Sequence, residues 1–155
     1  MTPSDLIDLP GFLHALRGER QPTVLVHGPP LCGKTRFAQG IAQKAGWGYF
    51  DGLAVLSEHS ELIGQIDRFD IPNLKRLLLE FPTIGDILLV DELDFLFPLW
   101  GNLSPFKELV RTLNAPTGKV AFAFFVQSRP DWDNWELLTA ARQSRVIEFE
   151  NIKSL

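Results

Sequence analysis

The sequence predicts an α/β fold of three layers (αβα), with a five-stranded, mainly parallel sheet between helices. Two observations predict it. Candidate strands alternate with candidate helices along the chain, the order that builds a parallel sheet through crossover connections. The strand candidates at 24–26, 87–90 and 120–126 are apolar throughout instead of alternating, as strands covered on both faces must be. At 155 residues the chain has room for one domain, 1–155, with a core large enough to fold alone.

The elements follow in order. In residues 1–20, Ser4 or Asp5 caps a turn, and Pro10, Phe12, Leu13 and Leu16 give a helical stripe that stops at Gly18. Thr23 to His27 is the first strand. A helix with Phe37, Ala38, Ile41 and Ala42 on one face then runs to about Ala45, before Gly46. Trp47 to Phe50 reads as a second strand ending in Asp51-Gly52. Ser57 to Ser60 is expected to cap a helix carrying Leu62, Ile63 and Ile66, which Ile71-Pro72 breaks. Asn73 to Phe81 restarts a helix, with Leu74, Leu77 and Leu78 at helical spacing, and Thr83 to Asp86 turns into the strand Ile87–Val90. The apolar run Phe95 to Gly101 is interrupted by Pro98. Ser104-Pro105 opens a helix to about Leu113, proline being well placed in a first turn. Lys119 to Val126 is the fourth strand. A helical stretch from about Asn134 to Ala141 precedes the last, Arg145 to Phe149.

Composition narrows the classes of function. Hydrophobic residues make up 45% and charged residues 22% of the chain, ordinary for a soluble globular protein. No apolar run approaches the roughly 18 residues of a membrane span, and the opening Met-Thr-Pro-Ser-Asp lacks the layout of a signal peptide. A single cysteine, Cys32, cannot form an internal disulfide, which points to a reducing cytoplasm. A net charge of −4 argues against broad attraction to nucleic acid, although a local basic patch in an assembly stays open.

Chemistry concentrates after the first strand. Val24 to Val26 feeds into Gly28-x-x-x-x-Gly33-Lys34-Thr35, and a helix follows, the context that makes this spacing a phosphate-binding P-loop (Walker A). Gly28 and Gly33 let the backbone curl, so that successive N–H groups and the helix N-terminus face a polyphosphate. Gly28, Pro29, Pro30, Leu31, Cys32, Gly33, Lys34, Thr35 and Arg36 are the expected nucleotide-binding residues, and the fold they define is a P-loop NTPase core. Lys34 would reach the β- and γ-phosphates, and the Thr35 hydroxyl would ligate Mg²⁺.

Asp91 follows four apolar residues, the Walker B pattern, and would share the Mg²⁺ with Thr35. Glu92 beside it is suited to polarising the water that attacks the γ-phosphate. Asp91-Glu92, the glycine loop and Gln127-Ser128 all fall at carboxyl ends of strands, where open α/β sheets bind ligands. The guanine-selective N-K-x-D is absent, so the expected cofactors are ATP and Mg²⁺.

The motifs also carry a resemblance. Gly28-Pro-Pro-Leu-Cys-Gly-Lys-Thr35 resembles the G-P-P-G-T-G-K-T loop of AAA+ ATPases, and Val90-Asp-Glu-Leu-Asp-Phe-Leu96 resembles their I-D-E-I-D-A-L. Ser128-Arg-Pro-Asp131 is similar to their N-R-P-D, whose first residue senses the γ-phosphate. Arg142-Gln-Ser-Arg145-Val-Ile-Glu-Phe149 is similar to R-F-D-R-x-I-E-F, whose arginines enter a neighbouring subunit's site. The resemblance spans about residues 20–150. It implies Ser128 as sensor, with Gln127 as a substitute, and Arg142 or Arg145 acting in trans. That requires a homo-oligomer, a ring or open helix, assembling with nucleotide. The family normally continues into a helical lid where this sequence stops at Leu155, a departure that implies a more exposed nucleotide. The segment Ser57 to Gln65 lacks the aromatic-glycine signature of a polypeptide-threading pore.

In size and motif layout the chain also resembles the small P-loop protein of type III bacteriophage-exclusion (BREX) defence systems. That implies larger protein partners in antiviral defence. Two functions remain open at this point: ATP hydrolysis, or a nucleotide-responsive assembly module with little turnover. Trp132 and Trp135, in a polar loop, have two readings as well, core packing or an interface anchor.

Overall fold

The computed structural model describes residues 5–59, 64, 66–83 and 85–155. Five strands, β1 (Thr23–Gly28), β2 (Gly48–Asp51), β3 (Ile87–Asp91), β4 (Ala121–Gln127) and β5 (Val146–Glu148), form one sheet in the order β2-β3-β4-β1-β5. Every adjacent pair is parallel, so the sheet is wholly and not mainly parallel. Among the described residues the α-helices are α1 (Leu9–Leu16), α2 (Lys34–Ala45), α3 (Gly52–Glu58), α4 (Ile71–Glu80), α5 (Phe97–Trp100) and α6 (Ser104–Thr112).

The apolar strands are explained by two cores. On one face Leu25, Leu88, Val90, Phe122, Phe124 and Val126 meet α3 to α6; on the other Val24, Val26, Ile87, Leu89, Ala121 and Ala123 meet α1 and α2. Successive residues of each strand thus serve opposite layers, as the pleat requires. In β4 the first face is filled by Phe122 and Phe124, whereas Ala121 and Ala123 leave room for α1 and α2 to approach. The outcome is a three-layer α/β arrangement, helices on both faces of a parallel sheet.

The N-cap of α1 is Asp8, whose carboxylate accepts from the Gly11 N–H, with Pro10 in the first turn; Ser4 lies outside the described residues. Two local expectations are corrected. Ser57 and Glu58 end a helix instead of starting one. The helix α3 begins at Gly52, where the Asp51 carboxylate accepts from the Ala54 N–H at 3.1 Å, and Leu62 and Ile63 lie outside the described residues. Ile71-Pro72 opens α4 and breaks nothing, because the Asp70 carboxylate caps Asn73 N–H at 3.0 Å and proline tolerates the first turn.

The expected helix over 134–141 is absent. Its backbone groups are engaged elsewhere: Thr139 N donates to Gln143 O, Arg145 N to Leu137 O, and Ala140 N to the Glu19 carboxylate at 2.6 Å. The segment folds as a turn closed by a bridge between Leu138 and Ser144.

Candidate functional site

The loop 28–35 connects β1 to α2 at the carboxyl edge of the sheet. Gly33 takes φ of 102°, the left-handed region open to glycine, and turns the chain into α2. Gly28 is needed for space instead: a Cβ there would lie 2.9 Å from Cys32 Sγ and 3.1 Å from Phe149 Cβ. Leu31 also has positive φ, 61°, and its side chain is wholly exposed at the loop's tip.

Lys34 is buried, and its ammonium donates to Gly28 O at 3.0 Å and Pro29 O at 2.9 Å, with Cys32 Sγ at 3.5 Å. The cation is therefore held at the centre of the loop by neutral carbonyls, which a phosphate's charged oxygens can replace with a stronger pairing.

Across from it, β3 ends in Asp91, which is 4% exposed. Its Oδ1 accepts from Glu92 N at 2.8 Å and its Oδ2 from the Tyr49 hydroxyl at 2.9 Å. Glu92 adopts positive φ, 59°, and this turn carries its side chain back to α2, where Oε1 accepts from the Thr35 hydroxyl at 3.2 Å. Burial first, and then the charge of Asp91, push the Glu92 carboxyl above its ordinary range; the Thr35 hydrogen bond opposes this. Asp94 is pushed up too, mainly by burial, while the Gln127 N–H, donating to Asp94 Oδ1 at 2.9 Å, pulls the other way. These groups line a cavity of about 630 Å³ with Gly33, Leu53, Phe95 and Gln127.

Of the expected residues, the structure brings Lys34, Thr35, Asp91 and Glu92 to this cavity, together with Pro30, Leu31, Gly33 and Arg36. Gly28, Pro29 and Cys32 line a second cavity of about 520 Å³ on the other side of the loop, with His27, Ser128 and Phe149. Ser128 is thus turned away from the phosphate side, its Oγ 2.8 Å from His27 Nδ1, and Gln127 occupies the wall in its place. His27 is kept below its ordinary pKa by burial, with Lys34 adding to the effect and Asp133 opposing it.

The two arginines separate cleanly. Arg145 is 2% exposed; its guanidinium donates to Thr23 O at 2.8 Å, Thr23 Oγ1 at 2.6 Å and Arg111 O at 3.3 Å. These contacts tie β5 to the start of β1, so the expectation that Arg145 reaches into a neighbour is corrected by its burial. Arg142 is exposed, on the 138–144 turn, with φ of 66°. Trp132 is core, 2% exposed, with Nε1 donating to Gln127 O at 2.9 Å; Trp135 packs on it and carries the Lys107 ammonium over its ring. The interface reading does not fit Trp132.

Sequence reasoning missed Leu53 and His27 as parts of these walls, and Tyr49 as the hydroxyl that holds Asp91. Asp94 was within the quoted acidic motif without a role. Only a polar tip in an otherwise apolar strand hinted at Tyr49.

The donor set fits magnesium: Thr35 and Asp91 offer hard oxygens, and Mg²⁺ takes one or two protein ligands with phosphates and waters completing its octahedron. Among the described residues, no group of three or more His, Cys, Asp or Glu side chains is placed to hold a metal ion.

No family model matches the chain, and no curated protein matches it. Among solved structures it is similar to a replication initiator DnaA bound to AMPPCP and single-stranded DNA, with 18% identity and a TM-score of 0.42 over 88% of this chain. The likeness covers 43% of that chain, so this sequence spans less than half its length. Among the described residues, no helix is long and apolar enough to cross a membrane.

Proposed function

We propose that this chain binds ATP with Mg²⁺ and hydrolyses it, as one subunit of a head-to-tail assembly. The observation that carries the reading is the meeting of Lys34, Thr35, Asp91 and Glu92 around one cavity at the loop. Lys34 exchanges its carbonyl partners for phosphate oxygens. The second cavity, beside Gly28, Cys32 and Phe149, would receive the sugar and base. When bound, Mg²⁺ neutralises charge on the β- and γ-oxygens. Thr35 and Asp91 would hold that ion, and Thr35, which now donates to Glu92 Oε1 at 3.2 Å, would offer it its hydroxyl oxygen. Glu92 then takes a proton from the attacking water as the new P–O bond forms and the bridging P–O bond breaks. Arg142, the exposed arginine, serves the site of the next subunit.

Phosphate release from ATP, measured for the parent and Glu92→Gln, tests this. The variant should bind ATP yet lose ~10²–10⁴ of turnover, the usual range for a positioned base. Retained turnover removes Glu92 from the mechanism.

A second reading is favoured by Ser128, which faces His27 and not the phosphate side. In that reading ATP sets the assembly state and hydrolysis is slow. Sedimentation with and without ATP separates the two. The phage-defence setting, and the larger partners it implies, rest on size and motif layout alone.

A further inference from the structure

The hydroxyl of Tyr49 does not belong to any motif, yet it touches the residue assigned to the metal. Tyr49 lies on β2 in register with Leu89 of β3, and two residues on Asp51 is in register with Asp91. From this position the phenol reaches along the neighbouring strand and donates to Asp91 Oδ2 at 2.9 Å. Glu92 N holds the other oxygen at 2.8 Å. The carboxylate is thereby gripped on both sides and cannot rotate about its Cβ–Cγ bond without losing a bond. The ring packs with the α1–α2 core, and Gln39 on α2 hydrogen-bonds the same hydroxyl.

We propose that Tyr49 is a positioning residue for metal binding: its O–H fixes the Asp91 carboxylate so that the remaining lone pairs face the ion shared with Thr35. The inference rests on the ATP–Mg²⁺ reading above. A partner that orients a ligating carboxylate typically accounts for 10–100-fold in metal affinity. Tyr49→Phe keeps the ring and its packing and removes only the donor.

The test uses Mn²⁺, a paramagnetic substitute for Mg²⁺, titrated into the protein with AMPPCP and followed by electron paramagnetic resonance. Tyr49→Phe should bind Mn²⁺ at least ~10-fold more weakly than the parent. Its metal-free affinity for AMPPCP should be unchanged, a split that a loss of packing would not produce. Equal Mn²⁺ affinity in the two proteins overturns the role of Tyr49 and leaves the ATP reading standing. A parent that binds no AMPPCP overturns both. Should Tyr49→Phe fail to fold, the parent itself decides: Tyr49 is the only tyrosine, so its near-ultraviolet absorption must shift when Mn²⁺ joins bound AMPPCP. An unchanged spectrum with the ion bound overturns the proposal.

Discussion

Gly52, the first residue of α3, lies directly against the carbonyl oxygen of Glu92. A Cβ at position 52 would meet that oxygen closer than any real contact and would come within 2.9 Å of Leu93 Cδ2. The neighbour is backbone, so it cannot swing aside. The start of α3 therefore sets where the end of β3, and with it the Glu92 side chain, can sit.

Gly52→Ala should accordingly destabilise the fold by about 1–3 kcal/mol and lower turnover by displacing Glu92. Gly40→Ala provides the contrast. Gly40 is inside α2, and its added Cβ would meet only the Leu155 side-chain end at 3.3 Å. That substitution should stabilise by roughly 0.5–1 kcal/mol. Thermal unfolding of both variants checks the pair, and equal effects would contradict the steric account.

The two arginines make opposite predictions. Arg145→Ala leaves Thr23 and Arg111 acceptors unpaired in the core and should cost on the order of 3 kcal/mol. Arg142→Ala removes an exposed side chain and should change stability by less than about 0.5 kcal/mol. Its effect belongs in turnover of the assembled protein, where loss of a trans arginine amounts to ~10³–10⁵. Urea unfolding and phosphate release on each variant distinguish them.

His27 predicts a pH dependence at the acid side. Its folded pKa lies below the ordinary value of 6.5, chiefly through burial. As pH falls below about 6.5 the unfolded chain gains a proton that the folded one resists, so stability declines with falling pH until the folded pKa is passed. Denaturant midpoints across this window should lose the slope in His27→Gln. An unchanged slope places its origin elsewhere.

Glu92 gives the other sign. Its folded pKa is raised, so its contribution to stability is present at low pH and is lost as pH climbs through that raised value. At neutral pH Glu92→Gln should therefore be more stable than the parent while being catalytically dead. Turnover of the parent should fall on acidification at a pH above the ordinary glutamate range. A destabilised Glu92→Gln would show that the carboxylate is a structural anchor.

What could be read in the sequence was local. Gly33-Lys34-Thr35 and Val90-Asp91-Glu92 announce themselves because each joins a buried strand to a polar end, and the apolar runs placed β1, β3 and β4 to within a residue or two. What could not be read depends on distant partners. The burial of Arg145 is decided by Thr23 and Arg111, far away in the chain, and nothing nearby marks it. The 134–141 helix failed because Glu19 and the Leu138–Ser144 bridge took its backbone groups. Ile71-Pro72 reads as an ending by its proline alone, and only the Asp70 carboxylate on Asn73 N–H makes it a beginning. Tyr49 needed the β2–β3 register before its hydroxyl had an address.

Parallel strands give the molecule a direction, and the two ends are not equivalent. The cavity at the glycine loop opens where the strands finish, whereas the Arg142 turn, tied to Glu19 through Ala140, sits where they begin. The six residues of β1 separate the two by ~20 Å at the usual rise per residue. On the proposed head-to-tail reading, a single copy cannot hand its own arginine to its own nucleotide, and two crippled copies should rescue each other. Lys34→Ala and Arg142→Ala subunits, each silent alone, should recover activity when mixed, since the first still lends the arginine and the second still holds the ATP.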